Sequence, residues 1–308
     1  KSYLCPDTSL RIMKRALLCS AFAALLTGCG LCPSPPSAAT GTAARYPITD
    51  VATAPATPVR NQAKSGTCWA FGGVSLIESE AIRTRRCTLD LSEMWVVRHA
   101  YFEKAVKYVR TRGRVAFDQG GQIQDVLWLV DRYGIVPQSL YEGGAADGTY
   151  DHASLAKAIR RLAKRIVDKK LYEKEHWQRM IDEELDRRLG ARPDRFVIDG
   201  VAYTPFSYAD SIGFRRDDYV ALTSFTHHPF FERFVLEIPD NWAAHATLNI
   251  PLDSLMRLLD SALAAGYTAA WDTDVSERGF GRRAGIALLP PKRRVCLQIL
   301  LYILTNLW

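Results

Sequence analysis

The sequence predicts an α+β protein, with helices through the first part of the body and strands towards the end. Residues 68–82 carry apolar side chains three to five positions apart, the spacing of an amphipathic helix. Residues 151–190 alternate acidic and basic side chains at helical spacing, which is typical of an exposed helix pair. Ser92 is predicted to cap the N-terminus of a second helix. From Phe196 onward, short runs rich in β-branched and aromatic residues indicate strands, with a hairpin at 196–203 and a strand from 234 through Trp242.

Length and composition indicate a globular body of one large domain or two. The chain has 308 residues, of which 48% are hydrophobic and 24% are charged. Part of its net charge of +7 lies in residues 1–28 and in the basic cluster at 292–294, whereas the central basic side chains are interleaved with acids. Such interleaving is typical of a solvated surface, so we expect no nucleic-acid partner.

Residues 1–57 are predicted to be a leader and a flexible tether. Residues 13–29 combine a basic start with an apolar run too short to span a membrane, which is the pattern of a secretory signal. The sequence Leu-Thr-Gly-Cys ending at Cys29 resembles the lipobox of bacterial lipoproteins, which implies a lipid anchor on Cys29 and a place on the periplasmic side of a cell-envelope membrane. An ordinary cleaved signal is the alternative. Residues 30–57 are rich in Pro, Ala and Ser, as tethers are.

The cysteines and histidines predict neither a disulfide framework nor a metal site. Of the seven cysteines, Cys68 and Cys87 fall in the body, and the others fall in the leader or the tail. The adjacent His227 and His228 have no third ligand at a suitable spacing. We therefore expect no metal and no cofactor.

The stretch 58–82 is expected to carry the chemistry, because it places Cys68 where a polar loop becomes a helix. At a helix N-terminus, unpaired backbone N–H groups and the helix dipole favour negative charge. A thiol in that position has a lowered pKa and becomes a nucleophile near neutral pH. From the spacing alone, a plain buried cysteine carries equal weight.

The residues around Cys68 resemble the nucleophile motif of papain-like cysteine peptidases. Gln62, followed by Ser-Gly-Thr-Cys-Trp at 65–69, is most similar to the bleomycin hydrolase and aminopeptidase C branch, although Ala63 stands where the family more often has Gly. The resemblance implies a papain-like two-lobed fold, with a helical lobe and a β-barrel-like lobe. It also implies that Cys68 attacks the scissile carbonyl, while the Gln62 amide and the Cys68 backbone N–H hold the oxyanion.

The same resemblance implies a substrate cleft and peptide substrates. It places Trp69 and the pair Gly120 and Gly121 in the cleft, where glycine lets the backbone approach a bound peptide closely. A simple turn explains the glycine pair equally well from local evidence. The branch further implies aminopeptidase activity, homo-oligomeric assembly, and a helical insertion, which we expect at about 150–220.

The base that should activate Cys68 is not identified in the sequence. A cysteine nucleophile of this superfamily needs a His oriented by an Asn or Asp. His245 is followed by Ala, as in the family, but it lies before the predicted strand at 267–275, whereas the family's His lies after that strand. The family's Asn-Ser-Trp-Gly motif is absent.

The resemblance stops near Leu289, so the peptidase domain is predicted at 58–289, incomplete at its C-terminal side. Residues 290–308 form a tail, a basic cluster followed by an apolar run, that does not resemble the family. Our hypothesis is a broken reading frame or a truncation, which leaves the second lobe without strands that close its barrel. Exposed sheet edges would then make the chain unstable and prone to aggregate. The alternative function is a peptide-binding pseudoenzyme or remnant that does not cleave its ligand.

Overall fold

Helices come first along the chain and most strands follow, as the sequence predicts. The computed structural model describes residues 49–115, 117–144, 150–273, 279–281, 286–287 and 300–304. The α-helices in these ranges are α1 (Cys68–Arg85), α2 (Glu93–Arg110), α3 (Ile123–Tyr133), α4 (Ala153–Asp168), α5 (Lys174–Leu189), α6 (Pro205–Ser211) and α7 (Leu252–Ala264). The strands there are β1 (Phe196–Ile198), β2 (Val201–Tyr203), β3 (Tyr219–Thr223), β4 (Arg233–Val235), β5 (Ala246–Asn249), β6 (Ala270–Asp272), β7 (Phe280–Gly281), β8 (Ile286–Ala287) and β9 (Leu300–Leu304).

A helical lobe is organised around α2, which is buried along most of its length. Ser92 caps this helix, and its hydroxyl accepts a hydrogen bond from the Trp95 N–H at 2.9 Å, which confirms the predicted N-cap. Helices α1 and α3 pack on one another and on α2. Gly73 allows α1 to approach α3 closely, because a Cβ at that position would lie 2.5 Å from a methyl group of Val126.

Helices α4 and α5 form the predicted helix pair, but they are exposed on their outer faces only. Both pack against α2 and against each other. The charge alternation in the sequence describes the outer face, whereas apolar side chains at helical spacing bury the inner face. The buried side chains are Leu155, Ile159, Ala163 and Ile166 on α4, and Trp177, Ile181, Leu185 and Leu189 on α5.

A charged contact also holds this pair in place. The Arg98 side chain of α2 is fully buried, and its guanidinium contacts Asp182 at 3.0 Å and Asp186 at 2.5 Å, both on α5. Both carboxylates remain partly exposed. The ion pair therefore joins a buried cation to the edge of the core, where its partners keep some hydration.

The strands of the second lobe form a five-stranded sheet in the order β4-β5-β3-β9-β6. Strands β3 and β5 run parallel, and the other neighbours are antiparallel. Helix α7 contributes Leu255 and Ala262 to a small core with Val220, Leu222 and Ile250. The predicted hairpin at 196–203 is confirmed as β1 and β2, which pair from Phe196 with Tyr203 to Ile198 with Val201.

Two predicted strands are shorter than expected. The strand predicted through Trp242 ends as β4 at Val235, because a turn follows in which the Asn241 side chain donates to the carbonyl oxygens of Leu236 and His245. Of the strand predicted at 267–275, Ala270–Asp272 are strand β6. The end of that prediction, from 274, lies outside the described residues.

Part of the C-terminal tail joins the sheet. The sequence places residues 290–308 outside the predicted peptidase domain, and within this tail residues 300–304 form β9 between β3 and β6. The residues are Leu-Leu-Tyr-Ile-Leu, which suit a strand, and both neighbours offer free backbone groups at that position. The gap expected in the second lobe is thus filled at this point, although the sheet remains open at β4 and β6.

The leader predictions, including the signal at 13–29 and lipidation of Cys29, lie outside the described residues. Within the described ranges, no helix combines the length and the apolar character that a bilayer span requires.

Replacing Arg98 by Met should destabilise the protein by about 2–4 kcal/mol, because Asp186 loses its ion pair and Asp182 keeps only the longer contact with Arg192, at 3.5 Å. Urea unfolding measures this change. The control is Arg215→Met, which removes an ion pair with Asp210 that is about two-thirds exposed on both sides and should cost less than about 1 kcal/mol. If both substitutions lowered the free energy of unfolding equally, the ion pairs of Arg98 would contribute no more to stability than an exposed pair.

Deleting residues 300–308 should lower the melting temperature by at least about 5 °C and promote aggregation, because β3 and β6 lose the strand between them. Calorimetry and light scattering measure the two effects. Deleting only 305–308 keeps β9 and should change the melting temperature and the aggregation far less. Unchanged melting in the longer deletion would mean that β9 contributes little to the sheet.

Candidate active site

Cys68 is the first residue of α1, and its side chain is exposed and not in a disulfide. The preceding residue, Thr67, is buried, and its hydroxyl lies 2.6 Å from that of Ser65. No side chain caps the start of the helix. The backbone N–H groups of Cys68 and Trp69 therefore remain near the thiol, and hydrogen bonds from them lower its pKa. This local arrangement is the one that the sequence predicts.

Gln62 and Ser65 close the thiol loop, a name used here for residues 62–67. The Gln62 carbonyl accepts from the Ser65 N–H at 3.2 Å and from the Ser65 hydroxyl at 2.8 Å. In return, the Gln62 side-chain amide donates to the Ser65 carbonyl at 2.6 Å. An amide NH₂ group has a second hydrogen, which remains available for an oxyanion. The role of Gln62 in an oxyanion hole stays a prediction.

A cleft of about 420 Å³ opens at Cys68, between α1 and β6. Trp69 and Ile123 line it on the side of the helical lobe, and residues 268–273 line it on the side of the sheet. The nucleophile thus lies at the junction of the two lobes, where a bound molecule would contact both of them.

The glycine pair, called the glycine ledge here, lies against the residue that follows the nucleophile. A Cβ on Gly121 would lie 2.7 Å from the Trp69 ring, and a Cβ on Gly120 would overlap the Asp240 carboxylate. Neither glycine has a positive φ. Space therefore requires glycine here, for packing within the chain, and the place of the pair in a substrate cleft stays a prediction. In this structure the approaching groups are Trp69 and Asp240 of the chain itself.

The Trp69 side chain is buried and packs against the glycine ledge. Its ring is 4% exposed, and its indole N–H donates to the Gln119 carbonyl at 3.0 Å. It also borders the cleft. Direct contact of Trp69 with a substrate stays a prediction.

The prediction of a lowered pKa for the Cys68 thiol is wrong for the chain as it stands. Partial burial raises this pKa first, and the carboxylates of Asp272 and then Asp240 raise it further. The two N–H groups at the start of α1 act in the opposite direction but do not outweigh them. Because a neighbouring negative charge disfavours the thiolate, the thiol is mostly protonated at neutral pH.

The two carboxylates form an acidic side of the cleft. Burial raises the pKa of Asp272, and the charge of Asp240 adds to that effect. Burial and Asp118 raise the pKa of Asp240, while the ammonium of Lys104 lowers it. No sequence motif marks these residues, because their proximity to Cys68 arises only when the two lobes meet.

None of the described contacts joins a histidine to Cys68. The Nε2 atom of His245 lies 3.1 Å from Asp125, a fully buried residue of α3, and its ring packs on Trp128. His99 stacks on Tyr133 in the helical core, where burial lowers its pKa well below the ordinary value. The structure gives His245 a carboxylate partner but no contact with the thiol.

His152, His227 and His228 pack against other side chains of the fold. His152 is buried, and burial lowers its pKa to about 4. His227 and His228 pack on each other and on Phe225 and Phe234. Among the described residues, no group of three His, Cys, Asp or Glu side chains is placed to hold a metal.

Replacing Asp272 by Asn should lower the pKa of the Cys68 thiol and speed its alkylation at neutral pH, because a negative neighbour of the thiolate is removed. The measurement is the rate of reaction with iodoacetamide between pH 6 and 10, whose midpoint should move to lower pH. Asp253→Asn, at an exposed position on α7, should leave the midpoint in place. A midpoint unmoved in both variants would exclude Asp272 as a cause.

Comparison with known proteins agrees with this architecture. Residues 47–182 match the model of the papain family cysteine proteases. Among solved structures, PepW from Lactobacillus rhamnosis HN001, determined as its selenomethionine derivative, superposes with a TM-score of 0.59 at 20% identity. The match covers 75% of this chain and 62% of the PepW chain, so the chain spans less than two thirds of PepW. No curated protein matches significantly.

The family match confirms the resemblance to papain-like cysteine peptidases over residues 47–182. The comparisons also confirm the predicted fold class, since the described helices and small sheets form a mixed α+β architecture similar to that of PepW. Residues 47–182, which make up less than half of the chain, thus match the papain family of cysteine proteases, and the described fold is papain-like α+β.

Proposed function

We propose that this protein is a cysteine-type aminopeptidase that uses Cys68 as its nucleophile on peptides bound between the two lobes. The observation that carries the proposal is the free thiol of Cys68 at the uncapped start of α1, within a cleft that the glycine ledge adjoins. The motif from Gln62 to Trp69 assigns the aminopeptidase C type by resemblance, and the fold match to PepW supports it.

Each part of the site has a role in this proposal. The thiolate of Cys68 attacks the scissile carbonyl carbon, and the carbonyl oxygen becomes negatively charged. The N–H of Cys68 and the second hydrogen of the Gln62 amide stabilise that charge. A base must take the thiol proton and return it to the leaving amine. His245 is the weak candidate from the sequence, and it would have to leave Asp125 to reach the thiol.

A second candidate function is peptide binding without cleavage. Two observations favour it: the pKa of the Cys68 thiol is raised, and no described histidine contacts the thiol. The cleft and the ledge would then hold a peptide while the thiol remains protonated. Reactivity of Cys68 separates the two functions, because a pseudoenzyme needs no thiolate.

The proposal includes a cellular setting. The signal-like residues 13–29 and the lipobox at Cys29 support an exported lipoprotein, anchored on the periplasmic side of a cell-envelope membrane. The family resemblance supports a homo-oligomer. Mass spectrometry of the membrane-extracted protein tests the anchor, because lipidation adds a defined mass to an N-terminal Cys29.

Aminoacyl and peptidyl reporters test the proposed reaction directly. We expect hydrolysis of reporters with a free N-terminus, and at least about tenfold slower hydrolysis of the same reporters after N-acetylation, since one lost charge contact accounts for about 1.4 kcal/mol. Cys68→Ser should abolish hydrolysis, whereas Asp253→Asn, at an exposed position on α7, should retain it. Hydrolysis that is insensitive to acetylation would indicate an endopeptidase instead.

The pseudoenzyme makes the opposite prediction. It would bind peptides with the same affinity in the wild type and in Cys68→Ser, and it would hydrolyse none of the reporters. Fluorescence anisotropy with a labelled peptide measures that affinity. Hydrolysis that depends on Cys68 would exclude this second candidate.

A further inference from the structure

The segment that leads into the glycine ledge is held from two sides. On one side, the buried ammonium of Lys104 on α2 donates to the carbonyl oxygens of Asp118, at 2.9 Å, and Gly120. On the other side, the Trp69 indole donates to the carbonyl of Gln119, which lies between them. Successive carbonyl groups thus point to different partners, so the backbone of Gln119 is fixed in orientation.

The side chain of Gln119 extends from this fixed backbone to the thiol loop. Its carbonyl oxygen, Oε1, accepts a hydrogen bond from the Gly66 N–H at 2.7 Å. A Cβ on Gly66 would lie only 3.1 Å from the Cβ of Gln119, so the two residues are in close contact. Gly66 lies two residues before Cys68, and Trp69 lies one residue after it. Gln119 therefore binds the chain on both sides of the nucleophile.

We propose that Gln119 is a positioning residue, which fixes the Cys68 thiol relative to the glycine ledge through the Gly66 N–H and the Trp69 indole. The inference deepens the proposed function and rests on it where a peptide is taken to lie along the ledge. The hydrogen bond to Gly66 does not touch the sulfur, so it sets the position of the thiol and not its pKa. A displacement of about 1 Å at a reacting group can cost about 100-fold in rate.

Gln119→Leu removes the acceptor and keeps most of the side-chain volume. Gln119→Glu keeps an acceptor oxygen and serves as the rescue variant. Gln178→Leu, on the partly exposed surface of α5, is the matched control. All three are compared with the wild-type chain by thermal unfolding, and only variants that melt cooperatively enter the comparison.

The first measurement is hydrogen exchange of the Gly66 amide, followed by NMR. The amide should be protected in the wild type, Gln119→Glu and Gln178→Leu, and it should exchange at least about tenfold faster in Gln119→Leu, since one hydrogen bond is lost. Equal protection of Gly66 in the wild type and Gln119→Leu would overturn the proposal. This measurement does not depend on any enzymatic activity.

The second measurement compares two reagents that alkylate Cys68. A peptidyl epoxide must bind in the cleft before it reacts, whereas iodoacetamide needs only the thiolate. Gln119→Leu should slow the epoxide about tenfold, equivalent to about 1.4 kcal/mol, and change the iodoacetamide rate less than about threefold. Gln119→Glu should restore the ratio of the two rates, which cancels any effect of its charge on the thiol pKa.

The remaining outcomes separate this inference from the proposed function. Equal slowing of both reagents in Gln119→Leu, or a ratio that Gln119→Glu does not restore, would overturn the positioning role. A wild-type chain that hydrolyses no reporter refutes the aminopeptidase proposal alone, because Gly66 exchange still decides the role of Gln119. Peptide hydrolysis with unchanged kcat/KM in Gln119→Leu would refute the inference alone.

Discussion

The packing of the Trp69 ring against Gly121 sets the geometry of the whole site. Trp69 follows the nucleophile directly, and its indole is hydrogen-bonded to the segment that carries the glycine ledge. One buried aromatic side chain thus couples the start of α1 to the glycine ledge. Any larger residue at 121 would separate the two, since a Cβ there already lies within 2.7 Å of the ring. The position of Cys68 consequently depends on packing in the helical lobe.

The charges in the cleft disfavour the Cys68 thiolate that the start of α1 would stabilise. The helix start supplies N–H groups that stabilise a thiolate, but the sheet lobe brings Asp272, and the turn after β4 brings Asp240. Both carboxylates disfavour the charge that the proposed reaction needs. In a papain-like dyad a protonated histidine balances the thiolate. Without that partner, the Cys68 thiol has a pKa set by burial and by acids, so the same geometry gives a weaker nucleophile.

Local patterns in the sequence predicted the elements whose contacts are local. Helix α1, the Ser92 cap of α2 and the hairpin at 196–203 depend on residues close together in the chain, and all three were predicted correctly. The lengths of β4 and β6 depend on strands far away in the sequence and were predicted poorly, and the pairing of β9 was not predicted at all. The same distinction between local and distant residues applies to the site. The neighbours of Cys68 within the motif were expected, whereas Asp272 and Gln119 come from other segments that only the fold brings near.

The position of β9 affects the order in which the molecule can form. Tyr219 of β3 pairs with Leu304, so the two partners are separated by most of the second lobe. The helical lobe depends on contacts within the first 190 residues and can collapse while the chain is still being synthesised. The sheet lobe cannot do so as early, because its inner strand β9 is synthesised after all of the other described strands. Until then β6, which forms one wall of the cleft, lacks its only neighbour in the described sheet. The wall of the cleft at β6 is therefore completed only after β9 has been synthesised, and the edges of β3 and β6 stay open to other chains for that interval.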